Sequence, residues 1–330
     1  MAVLTQVGLS DGALFREEDL PPLCVALGNF DGVHLAHRAL LEKTADAARH
    51  MRNRGSRDDG GNRTRSAVFC FDPPSGDFLS PQASKHTHLT TREEKLSLFR
   101  ECGIDYAFLA DFPTLQTMPP ETFLREVLRD KCHATAVFCG FNFHFGYRGA
   151  GTPELLQREW GKDCAAVLPP LSLTVGGENL LVSSSTIRTC LSEGRTETAT
   201  ALLGRPYTLT SAVLHGKALG RTWGFPTINQ EFPEEKLIPS PGIYATKCRI
   251  GEREYPSVTN IGTRPTVDGN TEVHLNCETH IPGISGDFYG MVVTTSFYKK
   301  LRDEQKFDSF DALRATIAAD TAHAIAYFEA

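Results

Sequence analysis

The sequence predicts two parts: an α/β, doubly wound, parallel-sheet part at the N-terminus, and a small antiparallel β-barrel with a closing helix at the C-terminus. Three observations carry that reading. The chain has 330 residues, about twice the usual size of one domain. Its first half alternates short apolar runs with longer helical patterns, as strands covered on both faces by helices do. Beyond Gly204-Arg205-Pro206 the helical periodicity fades into short strand-like runs broken by Gly and Pro, the texture of an antiparallel barrel.

The elements follow in order. Leu23–Leu27 reads as a strand, and His34–His50 as a helix with Leu40, Leu41, Thr44, Ala45 and Ala48 on one face. Ala67–Phe71 is the next strand, Thr91–Cys102 a helix and Tyr106–Leu109 a strand. Pro120–Asp130 is a helix with Phe123, Leu124, Val127 and Leu128 together, and Ala136–Cys139 a strand. The second half offers strands at Leu209–Val213, Ile243–Ile250, Ser257–Asn260, Glu272–Asn276 and Met291–Tyr298, then a helix over Ser309–Phe328. The boundary falls between Ser192 and Tyr207, giving domains 1–192 and 193–330. The Arg-, Asp- and Gly-rich stretch Arg52–Ser66 reads as a surface loop.

Composition excludes several classes. Lys+Arg 34 against Asp+Glu 40 gives a net charge of -6, which offers no field for a phosphate backbone, so nucleic acid is not an expected partner. No run approaches the roughly 18–20 apolar residues that span a bilayer, and no basic-then-apolar leader opens the chain. We expect a soluble, cytoplasmic protein without a membrane partner. The nine cysteines are scattered and contain no Cys-x-x-Cys, which favours free buried thiols over a disulfide framework or a zinc site.

After the first strand, Gly28 to His37 (GNFDGVHLAH) opens a helix. Two histidines three apart at a helix N-terminus share a face beside backbone N–H groups that favour an anion, a fitting place for nucleotide phosphates. Imidazole there can donate to a phosphoryl oxygen as pyrophosphate leaves. The same residues also read as a capping Asp31, a turn glycine and two surface histidines.

This segment resembles the His-x-Gly-His signature of the nucleotidyltransferase superfamily. As a whole it is similar to the form found in bacterial FAD synthetases, G-N-F-D-G-V-H-x-G-H. Phe71-Asp72-Pro73-Pro74, Leu89-Thr90 with Glu94-Lys95, Gly140–Gly151 and Ser183–Arg188 follow in that family's order. The resemblance implies a Rossmann-like nucleotidyltransferase domain that converts ATP and FMN to FAD and pyrophosphate by in-line displacement on the α-phosphate. His34 and His37 would stabilise charge there; Gly28, Asn29, Phe30, Asp31 and Asn142 would bind nucleotide and flavin; Ser184, Ser185 and Arg188 would contact the ATP phosphates. The chain departs from the pattern in three respects. Ala36 stands for a glycine, Pro74 for the histidine of Phe-Asp-Pro-His-Pro, and His144 for an arginine, while Arg148 lies one residue early.

In the second half, Leu203–Tyr207, His215-Gly216 and Gly220–Asn229 are dense in Gly and Pro. Such loops let backbone approach a ligand and give N–H groups to phosphates; as pattern alone they are hairpin turns of a barrel. The string G-R-x-x-G-F-P-T-x-N resembles the signature of riboflavin kinases, the C-terminal half of bifunctional FAD synthetases. Gly242–Ala245, Asn260–Thr266, Glu272–Leu275, Tyr289-Gly290 and Leu301–Phe307 continue in that family's order.

The resemblance implies phosphorylation of riboflavin by ATP to give FMN, with Mg2+ as cofactor. Thr227 and Asn229 become the metal and phosphate contacts, and neutral oxygen ligands suit a hard cation. Glu272 falls on the general base. His215, Gly216, Gly220 and Arg221 join the nucleotide site, and Arg302, at the start of the closing helical region, lines the flavin pocket or forms a surface salt bridge. The family commonly has Leu-Asp where this chain has Asn276-Cys277.

Three functional readings follow. The first is a bifunctional flavin-nucleotide enzyme acting on small molecules, ATP, riboflavin and FMN. The second is a monofunctional riboflavin kinase whose first domain is a silent nucleotide- or flavin-binding module. The third, disfavoured by the acidic balance, is a nucleic-acid binder using the Arg52–Arg65 loop.

Overall fold

The computed structural model of the chain describes residues 5–9, 20–54, 63–72, 88–216, 224–264 and 274–329. Contacts divide the chain into two units. The first holds residues 1–84 and 90–172; the second holds 85–89 and 173–330.

The first unit is built on a six-stranded sheet of β1 (Thr5–Leu9), β2 (Leu23–Leu27), β3 (Arg65–Phe71), β4 (Tyr106–Ala110), β5 (Ala134–Gly140) and β6 (Ala165–Leu168). Its order is β1-β4-β3-β2-β5-β6, with every pair parallel. Alternation along β2 shows why both faces are covered. Leu23, Val25 and Leu27 enter a core with Phe69, Phe108, Phe123 and Leu128, while Cys24 and Ala26 enter another with Leu41, Val68, Phe99 and Ile104. No β2 residue is exposed, as a central strand between helical layers requires.

Local chemistry sets the helices. Helix α1 (Leu35–Arg54) starts at His34, whose carbonyl accepts from Arg38 N–H at 2.8 Å. Helix α2 (Arg92–Glu101) is fixed by a capping box in which Glu94 N–H donates to Thr91 Oγ1 and Thr91 N–H donates to Glu94 Oε2. Pro120 opens helix α3, which runs as one turn over Pro120–Thr122 and then as a π-helix over Phe123–Lys131. Its last bond, Cys132 N–H to Val127 carbonyl at 2.9 Å, is an i to i−5 contact. The wider winding differs from the ordinary helix expected over Pro120–Asp130, yet Phe123, Leu124, Val127 and Leu128 are all buried as that expectation had them. Helix α4 (Pro153–Trp160) has Pro at its first position and stops at Gly161, φ 76°.

The main part of the second unit follows a two-stranded hairpin at the division, β7 (Ser172–Val175) and β8 (Glu178–Leu181). Helix α5 (Ser184–Ser192) follows, capped by Ser183 Oγ accepting from Thr186 N–H. Helix α6 (Thr196–Leu203) ends at left-handed Gly204, φ 72°. The chain then forms β9 (Tyr207–Ala212), β10 (Thr227–Gln230), β11 (Gly242–Ile250), β12 (Arg253–Arg264), β13 (His274–His280) and β14 (Val292–Arg302).

These strands order β10-β13-β12-β11-β14-β9, all antiparallel. An antiparallel bridge between Leu214 and Asn229 joins the two outer strands, so the sheet curls until its edges meet. Tyr244 and Phe297 fill the interior edge to face, ring centroids 5.5 Å apart. Beside them run buried hydroxyl pairs, Thr246 with Ser257 and Thr259, and Thr259 with Thr279, each at 2.8–2.9 Å. Helix α7 (Phe310–Glu329) covers the outer face through Ala324, Tyr327 and Phe328 against Ile243, Ala245 and Val258.

Two expectations are corrected. Thr227–Asn229, read as part of a turn, form strand β10, because the Gly and Pro of the preceding segment stop before Thr227. Arg302, expected at the start of the helical region, is the last residue of β14, and the helix begins at Phe310. Every cysteine is unpaired, and all but Cys164 are buried.

Candidate functional site

In the first unit, β2 has β3 on one side and β5 on the other, and the chain leaves it toward β3. Ligands of doubly wound sheets bind at the carboxyl ends of strands where the order reverses in this way. The loops at that reversal are Gly28–His34 after β2 and Phe141–Phe145 after β5, and they carry the predicted residues Gly28, Asn29, Phe30, Asp31, His34 and Asn142.

The Gly28–His34 loop is held tightly. Phe30, Gly32 and Val33 take positive φ values of 53°, 79° and 37°, a backbone held by its surroundings rather than by residue preference. Phe30 is buried, with its ring edge-on to Phe99 at 5.6 Å. Asp31 is buried and accepts from Thr90 N–H and Thr90 Oγ1 at 3.3 and 3.4 Å, while Gly32 N–H donates to Thr90 Oγ1 at 3.1 Å.

His34 and His37 stack with centroids 3.6 Å apart and planes 13° off parallel. The backbone N–H of His37 donates to His34 Nδ1 at 3.3 Å. That bond makes Nδ1 the acceptor, which leaves Nε2 as the ring nitrogen that carries a proton and can donate. Burial, then His34, then the buried Lys95 push the His37 pKa well below its ordinary value. His37 is therefore neutral at pH 7, and its Nδ1 is buried without a hydrogen-bond partner. Ala36 lies in the first turn of α1 and is not among the residues of positive φ. A helical position does not need glycine, and alanine is the better helix former by about 1 kcal/mol.

Asn142 is exposed in the turn after β5, where its carbonyl contacts His144 Nδ1 at 3.0 Å. Arg148 has φ 52° and its guanidinium lies over Tyr147. Ser184, Ser185 and Arg188 form the first turns of α5 and belong to the second unit. Pro74 lies outside the described residues.

In the second unit, register assembles a site on the outer face of the barrel. Asn229 on β10 pairs with Glu278 on β13, Glu278 with Asn260 on β12, Asn260 with Ile243 on β11, and Ile243 with Arg302 on β14. The row spans five strands, and Thr227 precedes it two residues before Asn229, on the same face. Arg302 makes a bidentate pair with Asp320 of α7, with Nε 3.2 Å from both carboxylate oxygens and Nη2 2.7 Å from Oδ2. Asp320 is only 8% exposed and Arg302 23%, so this is a sheltered link rather than a surface salt bridge.

Next to Thr227 and Asn229 opens a cavity of about 330 Å³ lined by, among others, Val213, Gly216, Ile281, Phe288 and Tyr289. His215 stacks on Tyr289 at 3.7 Å at its side. Gly216 is required by space: a Cβ there would come within 2.4 Å of Asn229 Nδ2. Gly220, Arg221 and Glu272 lie outside the described residues.

The donor set can be tested against magnesium. Thr227 and Asn229 offer neutral oxygens, and among the described residues no group of three His, Cys, Asp or Glu side chains could hold a metal. Magnesium keeps waters and phosphate oxygens and takes few protein ligands, so the residues fit it. Sequence reading named Thr90 and Lys95 only within a family-like string and Asn276 only as a departure from the family, gave none of them a site role, and did not single out Glu278. The alternation that sets Asn276, Glu278 and His280 on one side of β13 was the signal available for the second site.

Comparison with known proteins agrees with this division. A family model described as "FAD synthetase" matches residues 16–167, and one described as "Riboflavin kinase" matches residues 203–328. The Escherichia coli K12 protein "Bifunctional riboflavin kinase/FMN adenylyltransferase" is 33% identical over 312 residues, covering 92% of this chain and 93% of that protein. The Bacillus subtilis protein of the same name is 29% identical over 319 residues, 96% and 95% of the two chains. A crystal structure described as a macrolide-efflux protein from Streptococcus pneumoniae superposes with a TM-score of 0.77 at 26% identity, covering 96% and 97%. Among the described residues no helix of this chain is long and apolar enough to cross a membrane.

Proposed function

The chain belongs to the bifunctional riboflavin kinase/FMN adenylyltransferase family, and from that premise we propose that it phosphorylates riboflavin to FMN and adenylylates FMN to FAD. The observation that carries the reading is that both halves of the family are present in one chain, with the stacked His34–His37 pair in the first unit and the Thr227–Asn229 face in the second as the candidate site residues. This favours two activities over a kinase with a silent first domain.

For FAD formation, His34, whose Nδ1 accepts from the His37 N–H, donates from Nε2 to a phosphate oxygen and stabilises the charge that develops as pyrophosphate leaves. His37 is held neutral, first by burial and then by His34 and Lys95, so it adds a dipole rather than a charge. Asn142, in the turn after β5, borders the nucleotide and flavin. The division of labour is between domains 1–192 and 193–330.

For FMN formation, the cavity beside Phe288 and Tyr289 supplies an apolar, aromatic wall next to Thr227 and Asn229 for a bound substrate. Thr227 and Asn229 hold Mg2+, which when bound neutralises phosphate charge. Glu272 takes the proton of the ribityl hydroxyl, and Arg302, fixed by Asp320, lines the flavin side. Unpaired cysteines support a reducing, cytoplasmic location.

Chromatography of the products of riboflavin, excess ATP and magnesium tests the assignment. FMN followed by FAD is the expected sequence; accumulation of FMN with no FAD would return the first domain to a silent binding module.

A further inference from the structure

We propose that Asn276 and Glu278 form a positioning relay that fixes the carboxamide of Asn229 with one Oδ1 lone pair aimed at the cation of the kinase site. The relay rests on the reading of Asn229 as a metal ligand, and its geometry is independent of that reading. Asn276 Nδ2 donates to Asn229 Oδ1 at 3.1 Å and to Glu278 Oε1 at 2.8 Å. Two N–H groups thus meet two acceptors. The carboxylate accepts only, so Asn276 cannot turn its own oxygen toward Glu278.

The Asn229 amide is confined from Gly216 as well, where a methyl group would come within 2.4, 2.7 and 2.8 Å of Asn229 Nδ2, Cγ and Oδ1. Turning the amide over would set its N–H against the N–H of Asn276. An sp2 oxygen has two lone pairs, and with one taken by Asn276 the other has a set direction.

Position in the sheet supports the assignment. Asn229 and Asn276 are buried, at 8% and 9% exposure. Glu278 lies directly across from Asn229 and from Asn260 on the flanking strands. Across from Asn276 on β12 stands Gly262, whose missing side chain leaves room for Asn260 and Glu304. A buried amide pair tied to a carboxylate is costly to leave half satisfied, and neither Asn276 nor Glu278 is needed to fill the barrel interior, since both face outward.

Direct Mn2+ binding in the presence of ADP, followed by electron paramagnetic resonance on the full chain, tests the relay. Asn229→Ala defines the class of Mn2+ site that belongs to the kinase. Asn276→Leu and Asn276→Asp should weaken that class by about 10- to 100-fold, as loss of an outer partner of a metal ligand does. Glu278→Ala should weaken it too, and Glu278→Gln, which still accepts a hydrogen bond, should recover most of the loss. Riboflavin binding by fluorescence quenching verifies that each variant is folded. If Asn276→Leu binds Mn2+ like wild type while Asn229→Ala does not, the relay is wrong and the metal reading stands. Glu278→Gln failing as badly as Glu278→Ala would also overturn it, because charge rather than hydrogen bonding would then matter. If Asn229→Ala removes no class of site, the metal reading falls and the relay with it.

Discussion

His37 links burial to pH. Its pKa is lowered by desolvation first, then by His34 and Lys95, so the unfolded chain takes up this proton before the folded one. The folded state binds fewer protons, and stability contributed here is present above the ordinary histidine pKa of about 6.5. It is lost as pH falls below that value, at up to about 1.4 kcal/mol per pH unit, until the folded pKa is reached. The thermal midpoint should therefore decline between about pH 6.5 and 5, and His37→Asn should flatten that part of the curve. Equal slopes in the two proteins would contradict the assignment. That His34 and His37 would meet was legible from their spacing, because residues three apart at a helix start share a face. The stacking and the buried Lys95 were not, since a lysine in a helical pattern reads as solvated until its neighbours are known.

Elements were legible where periodicity was strong. Strand β2 runs over Leu23–Leu27 as expected, and the apolar face of α3 is buried as expected although its winding is π rather than α. Short elements were harder. Strand β10 hides behind Gly224-Phe225-Pro226, and β1 and β6 are edge strands whose pairing comes from neighbours rather than from their own pattern. Site 2 follows from register, which a single strand does not declare: only pairing brings Asn229, Glu278, Asn260 and Arg302 into one row. The loop before β10 yields a prediction at this scale. Gly216→Ala pushes into Asn229 and should cut FMN formation by about 10- to 100-fold, the usual cost of misplacing a contact by an ångström. The same variant should still convert supplied FMN to FAD; equal loss of both reactions would argue for a general folding defect instead.

At the scale of the molecule, the two fold classes expected from strand–helix alternation and from the change of texture at Gly204 are both present, and each unit has its own core. The departures in the first domain do not remove its framework: Ala36 is helical, and the Gly28–His34 loop is pinned by Thr90. The central claim is that one chain holds two separate chemical sites. Product analysis of paired variants tests it most directly. Asn229→Ala should fail to convert riboflavin to FMN yet turn supplied FMN into FAD, whereas a His34→Ala, His37→Ala double variant should make FMN and stop there. Loss of both reactions in either folded variant, or FAD formation undiminished without the two histidines, would contradict the account.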